Sequence, residues 1–203
     1  MLAEVYSEHL ATSRYFERTF NCNAVKVLPG EYFVSDKEEV IVTVLGSCIA
    51  ACIRDKERGI GGMNHFMLPD GGEDGVASSS ARYGAFAMEV LINHLIKSGA
   101  KRSNLEAKVF GGGKVMATLS QSQVGERNSQ FVLDYLHTER IPVVAKDLLD
   151  IYPRKVFYFP VTGKVMVKKM IKVHGETLFV RESEYAQRLK GSGTVGGDIE
   201  LFS

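Results

Sequence analysis

The chain has 203 residues, 45% hydrophobic and 24% charged, which is enough for one sizeable core and makes one domain the default. Twenty-five basic against 24 acidic residues leave a formal net charge of +1, which argues against nucleic acid or an anionic membrane as the main partner. No apolar run reaches the ~18 residues of a membrane span, and three cysteines are an odd count, too few for a disulfide scaffold.

The first twenty residues, MLAEVYSEHLATSRYFERTF, carry charges throughout and lack the apolar core of a signal peptide, so a cytoplasmic location is expected. Residues 1–24 show no clean period and read as an N-terminal extension that could form one helix packed on the body. From Val25 the pattern becomes strand-like. AVKVLPGEYFVS holds two apolar runs around Pro29-Gly30, and EEVIVTVLGSC is a β-branched run stopped by Gly46 and Ser47. IAACIRD and GIGGMNHFMLP continue the series of short strands, separated by KERG. DGGEDGVASSS, residues 70–80, reads as a solvated loop.

SARYGAFAMEVLINHLIKSGA is the clearest helix, with Tyr83, Phe86, Ala87, Val90, Leu91, His94 and Leu95 at helical spacing and Gly99 as a stop. LEAKVFGGGKVM predicts a strand running into a triple-glycine turn, which lacks the full phosphate-loop pattern and is no nucleotide site. GERNSQFVLDYLHTERI predicts a second helix, with Arg127 and Asn128 as its polar start. IPVVAKD returns to a strand, and RKVFYFPVTGKVMVKKM reads as a hairpin. GSGTVGGDIELFS closes the chain as a glycine-rich tail whose GDIELF could be a docking peptide or a disordered terminus. Strands outnumber helices, so the expectation is an α+β fold: one domain of layered, sandwich-like β-sheets flanked by a few helices. The division is residues 1–24, 25–190 and 191–203.

Chemistry concentrates in TVLGSCIAACIRDKERGIGGMNHFMLP, residues 43–69. Cys48 leaves a Gly46-Ser47 turn, whose backbone N–H groups could converge on one spot as an oxyanion hole. A thiol needs a base, and His65 lies seventeen residues on, within reach across a strand–turn–strand path. The Thr43 hydroxyl could orient the imidazole or bond a substrate amide. From residue types alone, a catalytic pair and a buried thiol beside an ordinary histidine both stay open. Cysteines four apart with one histidine do not match zinc spacings, and Cys52 reads as core.

LGSCIAACIRD followed by GIGGMNHFMLP resembles the signature of the CheD family, the chemoreceptor glutamine deamidases of bacterial chemotaxis. ARYGAFAME, KVFGGGKVM, VGERNSQFV, IPVVAKD and RKVFYFPVTGKVMVK resemble further family blocks in the family's order, over roughly residues 25–170. The chain departs from the pattern at Leu149-Asp150, where many members have Gly-Gly, while Arg154 fits it.

The resemblance implies Cys48 as nucleophile, His65 as base and Thr43 as third member, with Gly46, Ser47 and Asn64 binding substrate or the oxyanion. It implies hydrolysis of glutamine side chains on receptor signalling helices, a possible glutamyl methylesterase side activity, and no cofactor or metal. It makes residues 25–190 the deamidase domain. The partners implied are chemoreceptor cytoplasmic helices and a chemotaxis phosphatase, without nucleic acid or membrane insertion. A non-catalytic regulator of either partner is the alternative from a different class, and a cysteine peptidase ranks below both.

Overall fold

The computed structural model describes residues 9–68, 77–115, 122–170 and 175–191. Among these, ten strands form two five-stranded sheets. In chain order the strands are β1 (Ser13–Glu17), β2 (Cys22–Lys26), β3 (Tyr32–Ser35), β4 (Val40–Leu45), β5 (Ile49–Asp55), β6 (Ile60–Asn64), β7 (Leu105–Gly111), β8 (Val143–Leu148), β9 (Arg154–Phe159) and β10 (Lys164–Lys169). Three helices accompany them: α1 (Ala77–Lys97), α2 (Ser122–Thr138) and α3 (Gly175–Gly191). The first sheet runs β1-β2-β4-β9-β10 and the second β3-β6-β5-β7-β8. Only β2–β4 and β7–β8 pair in parallel. The α+β expectation with layered sheets is met.

Strand alternation sorts the side chains into layers. On β5, Ile49, Ala51 and Ile53 join Phe66, Leu68 and the apolar faces of α1 and α2 in the largest core cluster. The opposite face of β5, with Cys48, Ala50 and Cys52, packs toward the first sheet against Ile41, Leu45, Val156 and Tyr158. A smaller cluster of Ala24, Val40, Val42 and Phe157 lies on the far side of the first sheet. The order is α1 and α2, second sheet, first sheet, with α3 packed against the layer between the sheets. The site residues belong to the layer between the sheets.

Two local expectations are corrected. Over the described part of residues 1–24, no helix forms. β1 instead pairs with β2, Ser13 opposite Lys26 through Glu17 opposite Cys22, with Asn21 at φ +51 in the turn. The pairing satisfies backbone groups that a weakly periodic segment could not bury as a helix. The first long helix begins at Ala77, inside the stretch read as a loop, since small and hydroxyl residues suit a first helical turn. Residues 69–76, and the glycine-rich tail beyond residue 191, lie outside the described residues.

The departure at Leu149-Asp150 acquires a physical meaning. Both residues are left-handed, at φ +65 and +70. The loop is tied to the glycine turn by Leu149 N–H on the Gly111 carbonyl, 2.8 Å, and Lys114 N–H on the Asp150 carbonyl, 2.7 Å. Fully buried Arg154 clamps it from within, donating to the carbonyls of Leu149 and Tyr152 and to Asp147. A left-handed non-glycine residue costs about 1–2 kcal/mol, against roughly 0.4–1 kcal/mol of extra unfolded-state entropy for glycine. Leu149→Gly should therefore melt at or above the wild-type temperature, whereas Leu149→Val should melt below it; thermal denaturation of both variants checks this.

Candidate active site

One of the crossings between the two sheets is the tripeptide Gly46-Ser47-Cys48, which leaves β4 of the first sheet and enters β5 of the second. Its three carbonyls all point into the protein. Gly113 N–H binds the Gly46 carbonyl at 2.8 Å, and Gly112 N–H binds the Cys48 carbonyl at 2.9 Å. The Asn128 amide donates to the Ser47 carbonyl at 2.9 Å. With the carbonyls held on one side, the N–H groups of residues 46–48 are turned to the other and converge there, an anion-binding nest.

The expected triple-glycine turn has a definite duty. Gly111 and Gly112 have φ of +116 and +67, and a Cβ on Gly111 would stand 2.0 Å from the Cys48 carbonyl oxygen. Asn128 is not a polar helix start but a fully buried bracket on α2: its Oδ1 accepts from Leu68 N–H at 2.9 Å while its amide holds Ser47.

His65 follows β6. An isolated bridge sets Ile49 opposite Phe66, so Cys48 and His65 are diagonal neighbours on one face of the β5–β6 hairpin. Pairing register, rather than bending at every glycine, brings them together. Gly59, at φ +66, makes the turn. Gly61 and Gly62 lie inside β6, where a Cβ would meet Tyr158 Oη at 2.4 Å and Leu91 Cδ1 at 2.7 Å; they permit close packing of neighbouring layers.

Asn64, one residue earlier, faces the other way. Its Oδ1 accepts from Ala51 N–H at 3.0 Å and its amide donates to the Ala87 carbonyl at 3.0 Å, so both ends are committed to the protein on the helix side. Cys48, His65, Thr43, Gly46 and Ser47 are brought together; Asn64 is not.

Thr43, inward-facing on β4, settles the proton arrangement on the imidazole. Its hydroxyl donates to the Val27 carbonyl at 2.7 Å and lies 2.8 Å from His65 Nδ1. A hydroxyl has one proton, so toward Nδ1 it accepts. Nδ1 therefore carries the hydrogen, and Nε2 presents its lone pair. Nε2 is also a buried nitrogen with no hydrogen-bond partner among the described residues. Burial pushes the His65 pKa down to about 4, against an opposing pull from Glu182. Burial, then Glu182, pushes the Cys48 thiol well up. Both shifts favour the neutral thiol and the neutral imidazole.

Thr43→Val keeps the strand and removes this orientation. We expect a fall in kcat of at least about tenfold with little change in KM, and recovery in Thr43→Ser. Equal kinetics for Thr43→Val and wild type would refute the role.

Sequence reasoning missed Glu182, on α3. Its carboxylate accepts from Gly46 N–H at 2.7 Å, Ser47 N–H at 3.0 Å, Ser47 Oγ at 2.7 Å and Cys48 N–H at 3.4 Å. Ligand atoms of Cys48, His65 and Glu182 all lie within 4.8 Å of one another. An acid more than a hundred positions from the cysteine in a plain amphipathic helix carries no local signal. Cys52 is buried on the same strand face as Cys48 but pairs with Met63 and sits away from the nest, as core.

A family model described as CheD chemotactic sensory transduction matches residues 67–169, a span that begins just after His65. Curated relatives extend the similarity over the cysteine and histidine. "Probable chemoreceptor glutamine deamidase CheD 1" of Dechloromonas aromatica (strain RCB) is 64% identical, with 99% of this chain and 100% of that protein covered. "Probable chemoreceptor glutamine deamidase CheD" of Janthinobacterium sp. (strain Marseille) is 58% identical and that of Herminiimonas arsenicoxydans 59%, each with both chains covered in full. Among solved structures, a Bacillus licheniformis hypothetical protein, YfiH, aligns with a TM-score of 0.35 and 14% identity over 59% of this chain and 49% of that one, too distant to carry any argument.

Proposed function

The chain belongs to the CheD family, and from that premise we propose that it hydrolyses glutamine side chains of chemoreceptor signalling helices to glutamate, with Cys48 as nucleophile and His65 as base. The observation that carries this reading is the threonine–histidine–cysteine cluster: Thr43 orients Nδ1, Nε2 is buried without a partner among the described residues, an imidazole nitrogen lies within 4.8 Å of the thiol, and the neighbouring backbone N–H groups form an anion site.

The steps follow from the geometry. Nε2 takes the thiol proton as sulfur attacks the amide carbon, and the developing oxyanion finds the N–H groups of Gly46 and Cys48. The imidazolium stays oriented by Thr43 and returns its proton to the leaving nitrogen, so that ammonia departs and a thioester remains. Water, deprotonated by the same Nε2, hydrolyses the thioester to a carboxylate. Each turnover adds a negative charge to a receptor helix and biases its packing.

A glutamyl methyl ester presents the same acyl carbon with a better leaving group, so methylesterase side activity belongs to this proposal. So do a cytoplasmic setting beside the receptor helices, expected from the charged N-terminal stretch, and a chemotaxis phosphatase as second partner, which the resemblance implies. No helix among the described residues is long and apolar enough to cross a membrane. The test is intact-mass analysis of a receptor cytoplasmic fragment after incubation with the protein. The fragment should gain mass by the amide-to-acid change at particular glutamines; an unchanged fragment would overturn the reading.

A further inference from the structure

The anion site beside Cys48 is filled by the protein itself. Glu182 is buried, 4% exposed, and its carboxylate takes every backbone N–H of the tripeptide together with the Ser47 hydroxyl. A Cβ on Gly46 would lie 2.8 Å from Glu182 Oε2, so glycine is what lets the carboxylate come this close.

The rest of α3 is seated to match. Tyr185, one turn further along, lies over Gly30, and its hydroxyl bonds that of Tyr83. Ala186 and Leu189 pack on the cluster that contains Cys48, Met67 and Phe110. Residues 182, 185, 186 and 189 form an i, i+3, i+4, i+7 face, the spacing by which a helix lies in a groove. With α3 in place, Cys48 is 0% and His65 1% exposed.

The chemistry of the guest is informative. A nest of N–H donors prefers an anion to an amide. A glutamate carried by an amphipathic helix, with its carboxylate beside the nucleophilic sulfur, has the form of the reaction's product. We propose that α3 is a tethered product mimic: it docks Glu182 in the subsite that receives the substrate side chain, keeps the resting enzyme closed, and must be displaced by a substrate helix. This rests on the deamidase reading and adds its regulation. The seat of α3 is then also the seat of the substrate helix, with Tyr83 and Gly30 on its wall. Because the mimic is tethered, it competes at a high effective concentration, and it slows rather than abolishes turnover of a free substrate helix.

The test uses two full-length variants. In Glu182→Gln the guest becomes a substrate. Cys48 attacks its amide carbon, the C–N bond breaks with loss of ammonia, and water cleaves the thioester to restore glutamate. Peptide mass mapping should find residue 182 converted over time. It should stay glutamine in the Glu182→Gln, Cys48→Ala double variant, and Glu184→Gln, altered at a neighbouring position of the same helix that does not reach the nest, should stay unconverted. In Glu182→Ala, iodoacetamide should alkylate Cys48 at least about tenfold faster than in wild type, since a helix with a weaker anchor opens more often. Failure of either result overturns the proposal. Conversion of the receptor fragment, run alongside with wild type, separates the two readings. If the fragment is converted while the glutamine introduced by Glu182→Gln persists, the mimic fails and the deamidase stands; if the fragment is not converted, the deamidase fails as well.

Discussion

Cys48→Ala should leave receptor glutamines unconverted, with deamidation reduced by at least about a thousandfold, because the proposed acyl intermediate forms on this sulfur. The variant should fold. The side chain is small, the lost sulfur leaves a cavity of atomic size, and a cost of about 1 kcal/mol is in scale. Cys52→Ala is the matched control. Both thiols are buried on the same face of β5, and burial pushes both pKa values up. Only Cys48 has the nest and the imidazole within reach. Full activity in Cys52→Ala beside none in Cys48→Ala would locate the chemistry. Retained activity in Cys48→Ala would remove the cysteine mechanism altogether, whatever the family.

Gly111→Ala should be the most damaging change of a single hydrogen to a methyl. At φ +116 an L side chain is strained, and the new Cβ would fall 2.0 Å from the carbonyl oxygen of Cys48. That oxygen is held by Gly112 N–H, and the Gly111 carbonyl in turn holds Leu149 N–H, so neither strand can retreat without breaking the turn. Overpacking costs about 1–3 kcal/mol and the left-handed backbone roughly 1–2 more, so a loss of about 3 kcal/mol or greater is expected in urea denaturation. Activity should fall further than stability, because the carbonyl that must move belongs to the nucleophile. Gly113→Ala makes the contrast. Its Cβ would find its nearest neighbours at 3.0 Å, with φ outside the left-handed region. It should be milder on both measures, and equal damage from the two would contradict a special role for the contact between Gly111 and the Cys48 carbonyl.

Much of the site was legible before any fold was known. Glycine before a cysteine announces close backbone approach, and a histidine seventeen residues on, across an obvious turn, announces a partner. The threonine on the preceding strand was legible for a simple reason: period-two alternation sends residues 41, 43 and 45 to one face, so a hydroxyl at 43 points wherever the apolar neighbours point. The same rule separates Asn64 from His65, since adjacent strand residues face opposite layers. The Asn64 amide then serves Ala51 and Ala87 rather than the thiol.

Other parts were not legible, and the reason is the same in each case. A local pattern says which face of an element is apolar but not what will cover it. Residues 13–26 carry no strong period of their own and become strands because the edge of β4 is there to pair with. Asn128 looks like any polar residue early in a helix until α2 is laid across the cysteine turn.

The amino-acid sequence by itself placed a thiol, an imidazole and a hydroxyl on neighbouring strands, and its resemblance to the CheD family made them the candidates for the proposed reaction. The tertiary structure alone decided where the hydrogen on His65 resides, which side of the tripeptide offers its N–H groups, and that a glutamate from the third helix rests against them. Those facts depend on hydrogen bonds between residues up to 136 positions apart, which form only when the sheets and helices have already packed.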